Sequence, residues 1–166
     1  ALLWDALAGE VLRLALAGFE PSGDESGLET KGPKLVELYA GIGFLTLPLA
    51  RAGLSGLACE SGRAAVSDLR GNLRHAGLAD RIEVLAGRVE ERGDWAARLR
   101  AADVLVLDPP RVGLAEPMRK AIEENADYIK GETLADSIVF EALDGVEPLE
   151  CGVAGATVKI YVRVKK

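Results

Sequence analysis

Residues 35–50 read Leu-Val-Glu-Leu-Tyr-Ala-Gly-Ile-Gly-Phe-Leu-Thr-Leu-Pro-Leu-Ala, and they constrain the fold more than any other stretch. The apolar run from Leu35 to Tyr39 predicts a buried strand. Gly41 and Gly43 break it as a tight turn, and the Ala/Leu-rich segment from Phe44 predicts a helix. A strand that feeds a helix through such a turn presents backbone N–H groups and the positive helix end at the carboxyl edge of a sheet. That edge is where open α/β sheets bind nucleotide-like ligands. Glycine at both turn positions allows φ > 0 and lets a ligand approach without meeting a Cβ. A third glycine is missing, so the turn matches the dinucleotide fingerprint poorly and suits a nucleoside-sized ligand better.

The chain repeats the alternation. Residues 54–60, 81–86 and 103–108 predict three more strands, the last an apolar run between Asp103 and Asp108 that Pro109 and Pro110 end, since neither can donate to a ladder. Residues 63–76, 95–101 and 116–130 predict helices, with Pro117 tolerated in a first turn. Upstream, Leu3, Leu7 and Leu14 share a stripe that predicts an amphipathic helix over residues 1–17. A loop rich in Pro, Ser, Gly and Asp then runs to Pro33. Strands alternating with helices imply a Rossmann-like, doubly wound α/β fold with a mostly parallel sheet. Beyond residue 130 the pattern changes. Residues 137–140, 150–153 and 158–164 predict short strands, the last alternating Val158, Ile160, Val162 and Val164 with Lys159, Tyr161 and Arg163. These are expected as antiparallel C-terminal edge strands, and an exposed edge of that kind offers pairing to a second copy, so oligomeric state stays open.

A chain of 166 residues is expected to form one domain. No apolar run approaches the roughly 20 residues of a membrane span, and the first residues lack the basic start of a secretory signal. Cys59 and Cys151 are too few for a disulfide framework or a metal cluster, and cytoplasm is the expected compartment. The net charge of −6 opposes an autonomous RNA-binding module, because affinity for a phosphate backbone rests on Lys and Arg. His75 reads as a surface residue, Trp4 and Trp95 as packing anchors, Cys59 as a buried structural thiol, and Glu90-Glu91-Arg92 as a solvated face.

Three features fall at the carboxyl ends of successive strands: the Gly41/Gly43 turn, Glu60, and Asp108 with its prolines. In a parallel sheet they share one edge. A carboxylate such as Glu60 has two oxygens at about the spacing of a vicinal diol and suits a ribose. Glu37-Leu-Tyr-Ala-Gly41-Ile-Gly43-Phe-Leu-Thr-Leu, Glu60, and Asp108-Pro109-Pro110-Arg111-Val112-Gly113-Leu114 resemble the class I S-adenosylmethionine-dependent methyltransferases, most of all those that modify uracil C5 in tRNA and rRNA. The likeness covers residues 33–120, and the Asp-Pro-Pro-Arg-x-Gly-Leu string is its specific part.

The resemblance implies S-adenosyl-L-methionine as cofactor and RNA as substrate. It implies that Glu37, Tyr39, Gly41 and Gly43 line the methionine part of the cofactor and that Glu60 holds the ribose hydroxyls. Asp108 is then expected beside the cofactor's amino group or the target base, with Pro109 and Pro110 shaping the pocket. Arg111 faces RNA, ties down its loop, or makes a surface ion pair. No metal is expected. Family members attack uracil C6 with the cysteine of a Ser-Cys-Asn-Pro string and use a late glutamate as base, and neither motif occurs here. Cys151 stands in Leu-Glu-Cys-Gly-Val and does not inherit the nucleophile's role. The acid that often follows the third strand to meet the adenine amino group is replaced by Gly87-Arg88. Residues 126–135 resemble the C-terminal end of isoleucyl-tRNA synthetases, which implies a hybrid joined near residue 120. Three readings follow: a methyl-donor-binding domain without its catalytic cysteine, an inactive α/β scaffold, and a methyltransferase acting on an amino group, which needs no thiol.

Overall fold

The computed structural model describes residues 2–16, 19, 32–108, 114–124, 151–153, 156–158 and 161–164. In chain order the elements are α1 (Leu2–Ala15), β1 (Lys34–Leu38), α2 (Thr46–Arg51), β2 (Ser55–Glu60), α3 (Arg63–His75), β3 (Ile82–Ala86), α4 (Trp95–Ala101), β4 (Val104–Leu107) and α5 (Glu116–Glu124). Three short strands follow: β5 (Cys151–Val153), β6 (Ala156–Val158) and β7 (Tyr161–Val164). A 3₁₀ turn, Val89–Glu91, lies between β3 and α4. Residues 17–18, 20–31 and 125–150 lie outside the described residues, and with them the expected loop before Pro33, the end of the helix expected to reach Lys130, and the strand expected at 137–140.

The main sheet runs β3-β2-β1-β4-β7. The first four strands are parallel, and β7 pairs antiparallel to β4, Val104 opposite Val164 and Leu107 opposite Tyr161. β5 and β6 form a separate antiparallel pair. Because β2 and β3 lie on one side of β1 and β4 on the other, the winding reverses between β1 and β4. That reversal opens a crevice at their carboxyl ends, the usual ligand position in open α/β sheets.

Two apolar layers enclose the sheet. On one face Leu35, Ala58, Ile82, Val104 and Val106 meet Leu7, Val11 and Leu14 of α1, Leu49 of α2 and Leu69 and Leu73 of α3. On the other, Val36, Leu38, Leu57, Leu105 and Leu107 meet Trp95 and Leu99 of α4 and Met118 and Ile122 of α5. The runs Leu35–Leu38 and Val104–Leu107 are buried on both faces, which is why they read as continuous hydrophobic segments rather than alternating ones. Trp95 is a packing anchor whose indole N–H donates to the Val89 carbonyl at 2.6 Å.

The start of α2 differs from expectation. The helix expected from Phe44 begins at Thr46, and residues 41–45 form turns. Gly43 takes φ 94° and its N–H closes back on the Ala40 carbonyl at 3.0 Å, so helical geometry cannot begin before it. Pro48 falls within the first helical turn, where a missing N–H removes nothing the helix uses.

Candidate functional site

At the carboxyl end of β1 the chain turns through two glycines that serve different ends. Gly41 has φ 57°, and a Cβ there would meet nothing within 4 Å. Gly43 has φ 94°, but its Cβ would lie 2.6 Å from both Leu47 Cδ1 and Leu69 Cδ1. Gly41 thus leaves open space on the crevice side, while Gly43 lets α2 and α3 close over the turn. The Asn72 side-chain amide of α3 donates to the Ile42 carbonyl at 2.9 Å and holds the turn down, with Ile42 and Phe44 left as exposed apolar side chains.

Glu60, the last residue of β2, reaches this turn directly. Its Oε2 accepts the Gly41 N–H at 2.9 Å, and its Oε1 accepts the N–H groups of Ser61 and Gly62 at 2.7 and 2.6 Å. The carboxylate joins the glycine turn to the start of α3. Three of its roughly four acceptor positions are in use, leaving about one for a hydroxyl donor. The backbone draws the same rim together: Ala40 N–H donates to the Cys59 carbonyl, Gly87 N–H to Glu60, and Asp108 N–H to Leu38.

Beneath the turn lies Glu37. Its side chain points to the α1–α2–α3 face and is 2% exposed. Burial pushes its carboxyl up to about 8, and the negative charge of Asp108 pushes the same way. The Thr46 hydroxyl is close enough to oppose that shift, yet neither Glu37 Oε2 nor Thr46 Oγ1 has a hydrogen-bond partner of good geometry, so burial prevails. Asp108 sits at the end of β4 with an exposed surface, but neighbouring atoms still crowd its carboxyl enough to raise its pKa. Two acids on adjacent strands therefore lie at this sheet edge, and burial raises both carboxyls above their ordinary values.

Tyr39 is the one non-glycine residue with positive φ among those described, at 62°. The left-handed step breaks the strand alternation, so Leu38 and Tyr39 both pack toward the α4–α5 face. The Tyr39 hydroxyl donates to Glu90 Oε1 at 2.8 Å, and burial followed by that carboxylate raises the phenol's pKa. Glu90 is therefore half-buried and engaged, not the solvated residue the sequence suggests, with Arg88 at 3.8 Å from its other oxygen. No spacing rule links residues 39 and 90, and Thr46 likewise carried no signal before its neighbour Glu37 was known to be buried. Cys59 is buried as expected, its thiol facing the Gly87 carbonyl at 3.6 Å and pushed up by desolvation.

The structure brings Glu37, Tyr39, Gly41, Gly43, Glu60 and Asp108 to one sheet edge. Pro109, Pro110 and Arg111 lie outside the described residues, as does the 126–135 stretch. Among the described residues no cluster of His, Cys, Asp and Glu is arranged to hold a metal, and no helix is long and apolar enough to cross a membrane.

A Salinibacter ruber RNA methyltransferase in complex with S-adenosyl-L-homocysteine superposes with a TM-score of 0.55 at 19% identity, over 95% of this chain and 90% of that one. The magnesium protoporphyrin IX methyltransferase of Synechocystis gives 0.57 at 12% identity, over 99% and 81%. The tRNA (uracil-54, C5)-methyltransferase of Pyrococcus abyssi gives 0.53 at 21% identity, over 74% of this chain and 26% of that one. The chain shares the Rossmann-like α/β fold of these three proteins. In sequence, this chain is 38% identical over 93 residues to an uncharacterized RNA methyltransferase of Thermosynechococcus vestitus, covering 55% of this chain and 20% of the relative. It is 34% identical over 128 residues to one of Synechocystis sp., covering 73% and 27%. A 23S rRNA (uracil(1939)-C(5))-methyltransferase of Azoarcus sp. is 35% identical over 83 residues, covering 49% and 19%. The matched segment thus spans about a fifth to a quarter of these relatives. No family model matches the chain. The synthetase likeness of residues 126–135 gains no support from these comparisons.

Proposed function

We propose that residues 33–120 form the S-adenosyl-L-methionine-binding core of a domain related to the RNA uracil-C5 methyltransferases. The observation that carries this reading is the Glu60 carboxylate bonded to the Gly41 amide, at the crevice where β1 and β4 diverge. The cofactor, when bound, supplies an electrophilic methyl group on a sulfonium. The residues present suit it. Gly41 leaves room for a ligand against the main chain, and Glu60 retains about one acceptor position, on Oε2, for a ribose hydroxyl. In this reading Glu37, Tyr39, Gly41 and Gly43 surround the methionine part, Gly43 by shaping the turn. Asp108 faces the cofactor's amino group or the target base, and Pro109 borders the pocket.

Binding and catalysis separate. Uracil C5 becomes nucleophilic only after a thiolate adds to C6. The chain carries no Ser-Cys-Asn-Pro string, and the Cys59 thiol is buried and pushed toward its neutral form. In this reading the chain by itself binds the methyl donor and leaves uracil unmethylated. RNA, as tRNA or rRNA, is the substrate class the relatives' names suggest, and the charge of −6 makes it a weak ligand for this chain alone.

Calorimetry with S-adenosylhomocysteine tests the assignment. Binding is expected for the wild type, with at least tenfold weaker affinity for Glu60→Ala and Asp108→Ala. Equal affinity in both variants removes the site assignment. Identical melting with and without excess ligand favours the inactive scaffold, because a ligand that binds only the native state must stabilise it, by about 2.7 kcal/mol at a hundredfold excess over Kd.

A further inference from the structure

Two polar atoms without hydrogen-bond partners are buried together under the glycine turn, Glu37 Oε2 and Thr46 Oγ1. A buried carboxyl with one oxygen left without a partner either keeps a proton or meets a cation. Its surroundings are one-sided. Across the ladders Glu37 stands level with Ala58 on β2 and Val106 on β4. The helices on this face contribute Leu7, Val11 and Leu14 from α1, Leu49 from α2 and Leu69 from α3. Among the described residues, Asp108 is the charged group that acts on Glu37, and no Lys or Arg offsets it.

We propose that Glu37, backed by the Thr46 hydroxyl, exchanges a proton for the positive charge of a bound ligand, a sulfonium or ammonium settling between the glycine turn and Asp108. The proposal rests on the methyl-donor reading given above. In the free protein the carboxyl holds its proton at neutral pH, as its displacement to about 8 requires. When the cation arrives, the O–H bond of Glu37 breaks and the proton passes to the buffer. One positive charge enters and one leaves, so the buried site keeps its net charge. A cation in this poorly solvated place stabilises the carboxylate far more than it would in water. Donor affinity then depends on pH in a way that a ligand held only by neutral hydrogen bonds does not.

The test is calorimetry of the full chain with S-adenosylmethionine at pH 7, in buffers of different ionisation enthalpy. Buffer-dependent heat is expected, corresponding to release of most of one proton. Affinity should rise between pH 6 and 8 by up to about tenfold per unit. Glu37→Gln, isosteric and uncharged, should release no proton and lose the pH dependence. Buffer-independent heat in the wild type, or unchanged release in Glu37→Gln, overturns the proposal. An infrared measurement needs no variant: at pH 7 the free wild type should show a protonated carboxyl band that disappears when S-adenosylmethionine is added, and a band that is absent or unmoved also overturns it. Binding without proton release defeats this proposal alone, whereas absence of binding at every pH defeats the methyl-donor reading as well.

Discussion

Glu60 binds three main-chain N–H groups from two segments of the chain, so its removal acts on folding as well as on any ligand. Hydrogen bonds to a charged group contribute about 1.5–3 kcal/mol each, and water can replace part of that at this partly exposed position. Glu60→Ala should therefore lower unfolding stability by about 1–3 kcal/mol in urea titrations, and Glu60→Gln by less. The two turn glycines separate in the same assay. Gly43→Ala forces a methyl against Leu47 and Leu69 in a left-handed backbone and should destabilise by about 2–4 kcal/mol. Gly41→Ala meets open space and should stay near the 1–2 kcal/mol of the backbone term, while reducing ligand affinity more strongly. Glu37 makes stability depend on pH. The native carboxyl keeps its proton up to about 8, while the unfolded one, with an ordinary value of 4.5, has already lost it, so unfolding releases a proton in that window. Its contribution thus makes stability fall as pH rises from about 5 to 8 and level off above, and Glu37→Gln should flatten that slope. Glu60 and Gly41 were legible from sequence because a strand-ending acid and a turn glycine have local signatures. The Tyr39–Glu90 bond was not, since it depends on a left-handed step that sends one ring across the sheet edge.

At the scale of elements, the four parallel strands and the helices between them follow from hydrophobic periodicity, with boundaries shifted by a residue or two. At α2 the start moves from Phe44 to Thr46, after a turn that Gly43 closes with its left-handed φ of 94° and its bond to the Ala40 carbonyl. α3 illustrates how much one helix contributes. Val66, Leu69 and Leu73 are buried at helical spacing, while Arg70 donates to the Val84 carbonyl from its exposed side. Leu69 touches both the turn and the core, and Leu69→Ala should cost about 2–5 kcal/mol by urea denaturation. Of the strand expected over residues 158–164, Val158 belongs to β6, which pairs with β5, and Tyr161–Val164 forms β7, which pairs with β4, while residues 159–160 lie outside the described residues. Alternation in sequence announces a half-exposed strand but does not say which partner each half will take.

Across the whole molecule, the winding order puts the candidate site where two halves of the sheet part company, and the matched segment is 20–27% of the relatives' own length. The acidic balance of the chain predicts that RNA held at low salt is released near physiological ionic strength, which a filter-binding series checks. Fold class was legible because strand–helix alternation is a property of the whole pattern. The state of protonation at Glu37 was not, since a glutamate in an apolar strand looks the same in sequence whether it faces solvent or a closed interior. The bridge from Glu60 to Gly41 also acts as a clasp between two successive crossovers. Deuterium uptake at the Gly41 amide should therefore report how often that clasp springs open, and an occupant that draws the carboxylate toward itself would reset the rhythm.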